Sequence, residues 1–276
     1  MKVSYFANDL FMSCLEIFHN HGHEIAAIFT SAVSKNNQQI RHYAASNNIL
    51  CITDKPNQQH IKMLDDLAVD CFFSIEYEHL IPLPARYVKT LNMHPTMLPQ
   101  GRGATPLSQL ILQYPEHAGI TFHKLGDRFD TGDIVFQQKL SLSKKESLES
   151  LISKLNHKIP QCLQQLLADF DHLYQNAHAQ CGGSEWPKLG DQDRLLNWHE
   201  SLDKINLIIK AFGRFGVIAC IEKEAWLVNH IETFKLDHNI TAGTQLSHDA
   251  QICTIAINNG IVIIYKDSIL ERRDLI

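Results

Sequence analysis

The chain has 276 residues, with 25 Lys and Arg against 30 Asp and Glu, a net charge of −5 and no block of like charges. That balance argues against nucleic acid as a default partner, since phosphate binding needs a basic surface. No apolar run reaches the ~18 residues of a membrane span, and Met1 to Phe6 reads as a strand rather than a signal peptide. The seven cysteines are scattered and never form C-x-x-C, which disfavours a disulfide framework or a cysteine-ligated zinc site and points to a reducing, cytoplasmic compartment.

Residues 3–7 predict a first strand, after which Asn8 and Asp9 are expected to cap a helix reaching about His19. Residues 24–30 predict the second strand, 39–47 a helix, 49–52 a short strand and 58–67 another helix. Strands follow at 69–75 and 90–94. Alternating strands and helices imply an α/β fold, a Rossmann-like, doubly wound, mostly parallel sheet with helices on both faces. The first strand-to-helix turn is Phe6-Ala7-Asn8-Asp9, so the Gly-x-Gly-x-x-Gly dinucleotide fingerprint is absent.

A helix is expected over 106–112, with Pro106 tolerated in its first turn. Residues 119–125 and 134–140 predict paired strands flanking the loop 126–133. Apolar residues recur at helical spacing from Leu148 to Phe170, giving a long amphipathic helix with Pro160 inside it as an expected kink. Residues 1–175 therefore read as one catalytic domain, the irregular stretch 176–200 as a linker, and 201–276 as a small β-rich domain. In the last, a helix is expected over 202–212, then strands at 217–221, 225–231, 252–256 and 261–265, which suggest a small barrel.

The stretch with chemical character is Asn92-Met93-His94-Pro95-Thr96-Met97-Leu98-Pro99-Gln100-Gly101-Arg102-Gly103. Two residues apart on a strand, Asn92 and His94 leave from the same face, one offering an amide donor and the other a group that exchanges protons near neutral pH. Pro95 cannot donate to a ladder, so pairing is expected to stop there, at the C-terminal strand end where open α/β sheets place their chemistry. A second polar segment, Leu125 to Ile134, carries three acids and can bring a carboxylate to the imidazole. Its bland alternative is an ordinary turn, where Asp and Gly are abundant for backbone reasons. No H-E-x-x-H or comparable ligand spacing is present, so no metal is expected.

These residues resemble the formyltransferases that use N10-formyltetrahydrofolate. Asn92-Met93-His94-Pro95-Thr96-Met97-Leu98-Pro99 matches that family's Asn-x-His-Pro-Ser/Thr-x-Leu-Pro motif, and Asp130-Thr131-Gly132, 38 residues beyond Asn92, matches its downstream Asp-x-Gly. The likeness is good over roughly residues 1–170 and weaker over the tail, which looks similar to the family's OB-like C-terminal domain. It implies Asn92, His94 and Asp130 as catalytic residues and a reduced folate as co-substrate. Asn92 would donate to the developing oxyanion. His94 would help hold it or relay a proton, and Asp130 would orient His94 or take the proton from the attacking amine. Whether His94 or a water on Asp130 protonates the departing N10 stays open.

The resemblance also implies folate contacts at Ser74, Ile75, Glu76, Tyr77, Leu80, Met93, Asp127 and Asp130, with core packing the alternative for Ile75 and Leu80. It implies substrate contacts at Asn8, Met97, Arg102 and Gly103; Arg102 would bind a phosphate, or is simply a solvated loop arginine. Phe73-Ser74-Ile75-Glu76-Tyr77-Glu78-His79-Leu80-Ile81 is similar to the version in enzymes that formylate aminosugar nucleotides. The expected substrate is accordingly a dTDP-, UDP- or GDP-linked amino sugar. Methionyl-tRNA formyltransferase is the alternative within the family, and a non-catalytic folate- or nucleotide-binding protein the alternative outside catalysis. Residues 201–276 hold eight basic and nine acidic residues, and residues 31–38 carry only Lys35, which offers no basic stripe for a tRNA backbone. Neither nucleic acid nor membrane is expected as a partner, and a homodimer is left open.

Overall fold

A computed structural model describes residues 1–274, so the last two residues of the expected C-terminal domain lie outside the described residues. Seven strands build the larger sheet: β1 (Lys2–Ala7), β2 (Glu24–Phe29), β3 (Leu50–Ile52), β4 (Cys71–Ile75), β5 (Lys89–Thr96), β6 (Ala118–His123) and β7 (Ile134–Lys139). Their order is β3-β2-β1-β4-β5-β6-β7; the first five are parallel, and β6 and β7 are added antiparallel. The helices between and after them are α1 (Ser13–Asn20), α2 (Gln38–Ser46), α3 (Gln58–Asp66), α4 (Pro106–Leu112), α5 (Leu148–Ala168) and α6 (Phe170–Gln175). This is the Rossmann-like, mostly parallel fold expected from the sequence. Every residue of β4 is buried, as for a parallel strand covered on both faces.

The chain divides into two compact units. The first comprises Met1–Pro106, His117–Ser141 and Ile152–Trp186; the second comprises Leu107–Glu116, Leu142–Leu151 and the chain from Pro187 onward. The amphipathic stripe of α5 is the core element the spacing predicted: Leu148, Leu151, Ile152, Leu155, Ile159, Cys162, Leu163 and Leu166 are all buried. In the second unit, Ser201 caps α7 (Leu202–Phe212) by accepting from the Lys204 N–H at 3.2 Å. Seven strands follow: β8 (Val217–Ile221), β9 (Glu224–Val228), β10 (Ile231–Lys235), β11 (Gln245–His248), β12 (Ile252–Ile257), β13 (Gly260–Tyr265) and β14 (Ile269–Asp274). The expected small barrel takes the form of two antiparallel sheets, ordered β10-β13-β12-β11 and β14-β9-β8. The single strand expected over 225–231 is two, separated by Asn229 and His230.

Two local expectations are corrected. Asn8 does not cap a helix: its backbone is extended, its side chain makes no cap bond, and Asp9–Phe11 is a short 3₁₀ turn before α1. Asn8 instead ties together the C-terminal ends of three strands. Its Oδ1 accepts from Thr30 Oγ1 (3.1 Å) and the Ser31 N–H (2.9 Å), and its Nδ2 donates to the Glu76 carbonyl (3.0 Å) and Glu78 Oε2 (3.3 Å). β1 lies between β2 and β4, where the direction of chain progression through the sheet reverses, so this bond set spans the topological switch point. Pro95, in turn, does not end β5. Pairing with β4 stops at Met93, but the ladder with β6 continues to Thr96 across an irregularity between His94 and Thr96. The missing N–H of Pro95 opens a bulge rather than a terminus.

Because Asn8 is buried and fully hydrogen-bonded, Asn8→Ala should destabilise the protein by about 1–3 kcal/mol through the hydrogen bonds it removes from the Ser31 N–H and the Thr30 hydroxyl. A urea denaturation midpoint equal to that of the wild type would show that solvent satisfies those groups equally well.

Candidate active site

The sheet register, more than the motif, assembles the site. Asn92 on β5 lies directly opposite His123 on β6, so their side chains share a face, and His94 is two residues along that same face. The Asn92 Nδ2 lies 3.0 Å from His123 Nε2. His123 Nδ1 sits 2.7 Å from the Lys124 carbonyl and donates to it, which fixes the ring so that Nε2 faces Asn92 and Asp130. His94 is fixed from the other side, with Nε2 donating to the Gly101 carbonyl at 2.7 Å.

Asp130 reaches this row from the loop between β6 and β7. Its Oδ1 is 3.3 Å from His94 Nδ1, 3.5 Å from His123 Nε2 and 3.4 Å from Asn92 Nδ2, and its Oδ2 accepts from the Gly103 N–H at 3.0 Å. The residue is 8 % exposed and sits at φ +58°, a left-handed backbone uncommon for a side chain with a Cβ. Burial alone would raise its pKa, but the His94 and His123 rings and the Gly103 N–H outweigh that and hold it down at about 2. For His94, burial lowers the pKa below its ordinary value, while the Asp130 charge and the bond to Gly101 pull it back. The Nδ1–Oδ1 contact is therefore where a proton is gained or lost.

The loop after β5 is held from below and behind. Thr121 Oγ1 donates to the Thr96 carbonyl (2.6 Å) and accepts from the Leu98 N–H (3.2 Å), while Thr96 Oγ1 donates to the Gln100 carbonyl (2.7 Å). Gly101 and Gly103 have φ of +77° and +128°, and a Cβ on them would fall 2.7 Å from the Trp186 ring and 2.6 Å from the Trp186 carbonyl. Glycine is needed there both for the backbone turn and for the close approach of Trp186.

Asn92, His94 and Asp130 are thus brought together as expected from the sequence, and Gly103, expected as a substrate contact, joins them through its N–H to Asp130. Ile75 is a core side chain, which is its packing alternative, and Met93 and Ser74 are buried as well. Met97 lies over Gly119, where a Cβ would come within 2.4 Å of its sulfur. Tyr77 packs edge-on against Phe6, and Glu76 accepts from the Leu10 N–H at 3.1 Å. Leu80 and Asp127 are exposed. Arg102 is not a free loop arginine: its Nε and Nη2 donate to Gln180 Oε1 at 3.0 and 2.8 Å, and Nη2 also donates to the Gly182 carbonyl at 3.0 Å. The segment expected as a linker supplies those partners. His123 and Gln180 are the site neighbours that the sequence did not disclose. His123 had one available signal, the polar face Thr121/His123 of β6, but its partner strand cannot be read from the chain order. Among the described residues, no set of three or more His, Cys, Asp or Glu side chains is disposed to hold a metal ion, and no helix is long and apolar enough to cross a membrane.

A family model described as "Formyl transferase" matches residues 19–167, more than half of the chain. The chain belongs to the formyl transferase family. Among curated relatives, the methionyl-tRNA formyltransferase of Rickettsia rickettsii (strain Iowa) is 26 % identical over 257 residues, covering 88 % of this chain and 84 % of that protein. Among solved structures, HypX from Aquifex aeolicus in complex with tetrahydrofolic acid superposes with a TM-score of 0.74 at 15 % identity over 96 % of this chain, which spans only 43 % of the HypX chain. The N-formyltransferase from Helicobacter canadensis, in complex with folinic acid and dTDP-3-aminofucose, gives a TM-score of 0.63 at 16 % identity, covering 96 % of this formyl transferase and 98 % of the other.

The Asp130 environment sets a pH signature. With a folded-state value of about 2 against an ordinary 3.8, the ionised carboxylate stabilises the folded formyl transferase above about pH 4, and this contribution is lost as pH falls through about 2. The stability difference between wild type and Asp130→Asn, measured by denaturant titration from pH 5 to pH 2, should shrink as the pH falls; a constant difference would contradict the assigned environment.

Proposed function

We propose that this protein transfers the formyl group of N10-formyltetrahydrofolate to the primary amine of a nucleotide-linked amino sugar. The observation that carries the formyl-transfer part is the convergence of an amide, an imidazole and a low-pKa carboxylate on one face at the C-terminal end of β5. Attack by a neutral amine on the formyl carbon gives a tetrahedral intermediate with negative charge on oxygen, and a preorganised donor is needed there. Asn92 fills that role. Its hydrogen toward Asp130 is held at 3.4 Å, longer than an ordinary bond, and is the one to exchange for the oxyanion. Asp130, kept ionised, accepts the proton leaving the amine. His94 works through Nδ1, because Nε2 is already bonded to the Gly101 carbonyl. Protonation of N10 as the C–N bond breaks is completed by that Nδ1 or by a water on Asp130.

The choice of a small acceptor rests on charge. Eight basic and nine acidic residues over 201–276 leave no excess for an RNA backbone. Two of the neighbouring sugar enzymes were solved with dTDP or a dTDP-sugar and a formyl-folate, which supports this reading. The Rickettsia relatives, by their names, favour the second reading, methionyl-tRNA as acceptor.

Purified protein incubated with N10-formyltetrahydrofolate and a panel of dTDP-, UDP- and GDP-linked amino sugars should release tetrahydrofolate with one of them. Release only with charged initiator tRNA would replace the sugar by the tRNA reading, and tight folate binding without turnover would leave a binding protein. In the active assay, Asn92→Ala should slow the chemical step about 10²-fold with little change in folate affinity, and Asp130→Ala at least as much. A near-wild-type rate in either variant would count against these roles.

A further inference from the structure

The segment His178–Trp186 belongs to the first unit and hydrogen-bonds to both loops around the catalytic row. It is pinned at one end to the start of β7, where the Ile134 N–H donates to the His178 carbonyl (2.8 Å) and the His178 N–H to the Ile134 carbonyl (3.0 Å). At the other end, the Ser184 N–H donates to the Pro99 carbonyl (3.1 Å), the Arg102 N–H to the Ser184 carbonyl (3.0 Å) and the Trp186 N–H to the Arg102 carbonyl (2.8 Å). Ser184 Oγ accepts from the Gly101 N–H at 3.0 Å, on the peptide unit adjoining the carbonyl that fixes His94. Between these anchors lies Gln180. Its Nε2 donates to the carbonyls of Asp130 and Gly132, both at 2.8 Å, and its Oε1 accepts from Nε and Nη2 of Arg102.

The geometry points to Gln180 as a positioning residue for formyl transfer: its amide, held on both sides, fixes the Asp130 backbone and thereby the carboxylate's distance to His94 Nδ1. The argument follows from what each end of the amide can bond. Asp130 is in a left-handed conformation that costs a residue with a Cβ more than glycine, and bonds from outside the loop hold it there. The Gly103 N–H holds the carboxylate, and Gln180 holds the main chain on either side of Thr131. The orientation of the amide is set by Arg102, which has no acceptor and so requires Oε1 to face it, leaving Nε2 for the two carbonyls. The strap thus couples the loop after β5 to the loop after β6 through one side chain. Gln180 touches no reacting atom in this arrangement; it acts through Asp130.

The role rests on the proposed formyl-transfer chemistry, and the test separates the two. Gln180→Ala removes both arms, Gln180→Glu keeps the fork with Arg102 but sets an anionic oxygen against the two carbonyls, and Gln180→Met removes the polar atoms at nearly constant volume. In each, the His94 titration is followed by NMR of the imidazole, which requires no substrate, alongside the thermal midpoint. With Asp130 released, His94 loses the charge that supports its protonated form, so its titration should move down. Turnover should fall about tenfold with the folate KM near that of the wild type. The expected result is this pair of changes in Gln180→Met while the thermal midpoint stays close to native, with Gln180→Glu losing turnover although its new charge opposes the fall in the His94 titration. Unmoved His94 titration in folded Gln180→Met overturns the positioning role. Lowered thermal midpoints with wild-type titration and turnover per folded molecule make Gln180 structural and overturn it as well. A wild-type protein that transfers no formyl group defeats the functional reading, while the His94 titration still decides whether Gln180 positions Asp130.

Discussion

One carboxylate organises the catalytic end of this protein. Asp130 is buried, ionised, and surrounded by groups that come from separate parts of the chain: Asn92 and His94 from β5, His123 from β6 and the Gly103 N–H from the loop after β5. A buried charge without such partners would be expelled or neutralised, and here the His94 and His123 rings and the Gly103 N–H together outweigh the cost of burial. Asn92 and His94 among them are also the groups that the proposed formyl transfer would use. Stability of the ion and chemistry of the site are therefore two consequences of one arrangement, and any change that loosens Asp130 is felt in both.

The fold explains why these groups meet. Five parallel strands carry the chain to one edge, and the antiparallel additions β6 and β7 then return it past β5, so that His123 faces Asn92 in register and the loop after β6 closes over the end of β5. On the other side of β4, Asn8 clamps the ends of β1, β2 and β4. Both devices use backbone groups freed where strands end, as expected at the carboxyl edge of an open sheet. The glycines at 101 and 103 serve the same end by letting Trp186 pack against the loop backbone.

Much of this was legible in the sequence, for physical reasons that also mark the limits. The buried parallel strands and the α5 stripe declare themselves because burial on a fixed period leaves an apolar signature. The motif pair Asn92/His94 and Asp130 was legible because the chemistry demands those residue types. β11 and β14 were not foreseen: both are edge strands, with a neighbour on one side only, and their sequences Gln-Leu-Ser-His and Ile-Leu-Glu-Arg-Arg-Asp carry little alternation. The role of residues 178–186 was hidden because a strap that bonds through its backbone and a single glutamine has the composition of a linker. Arg102 was read toward solvent or a phosphate for the same reason, since its partner Gln180 lies 78 residues away.

The most direct test of the central claim is a single-turnover measurement of formyl transfer by the wild type, Asn92→Ala, Asp130→Ala and the double variant, each saturated with folate and the best acceptor. Groups that act as one unit predict a double variant slowed no more than about threefold beyond the slower single variant. Losses that multiply would contradict the account, because the amide and the carboxylate would then be serving independent steps.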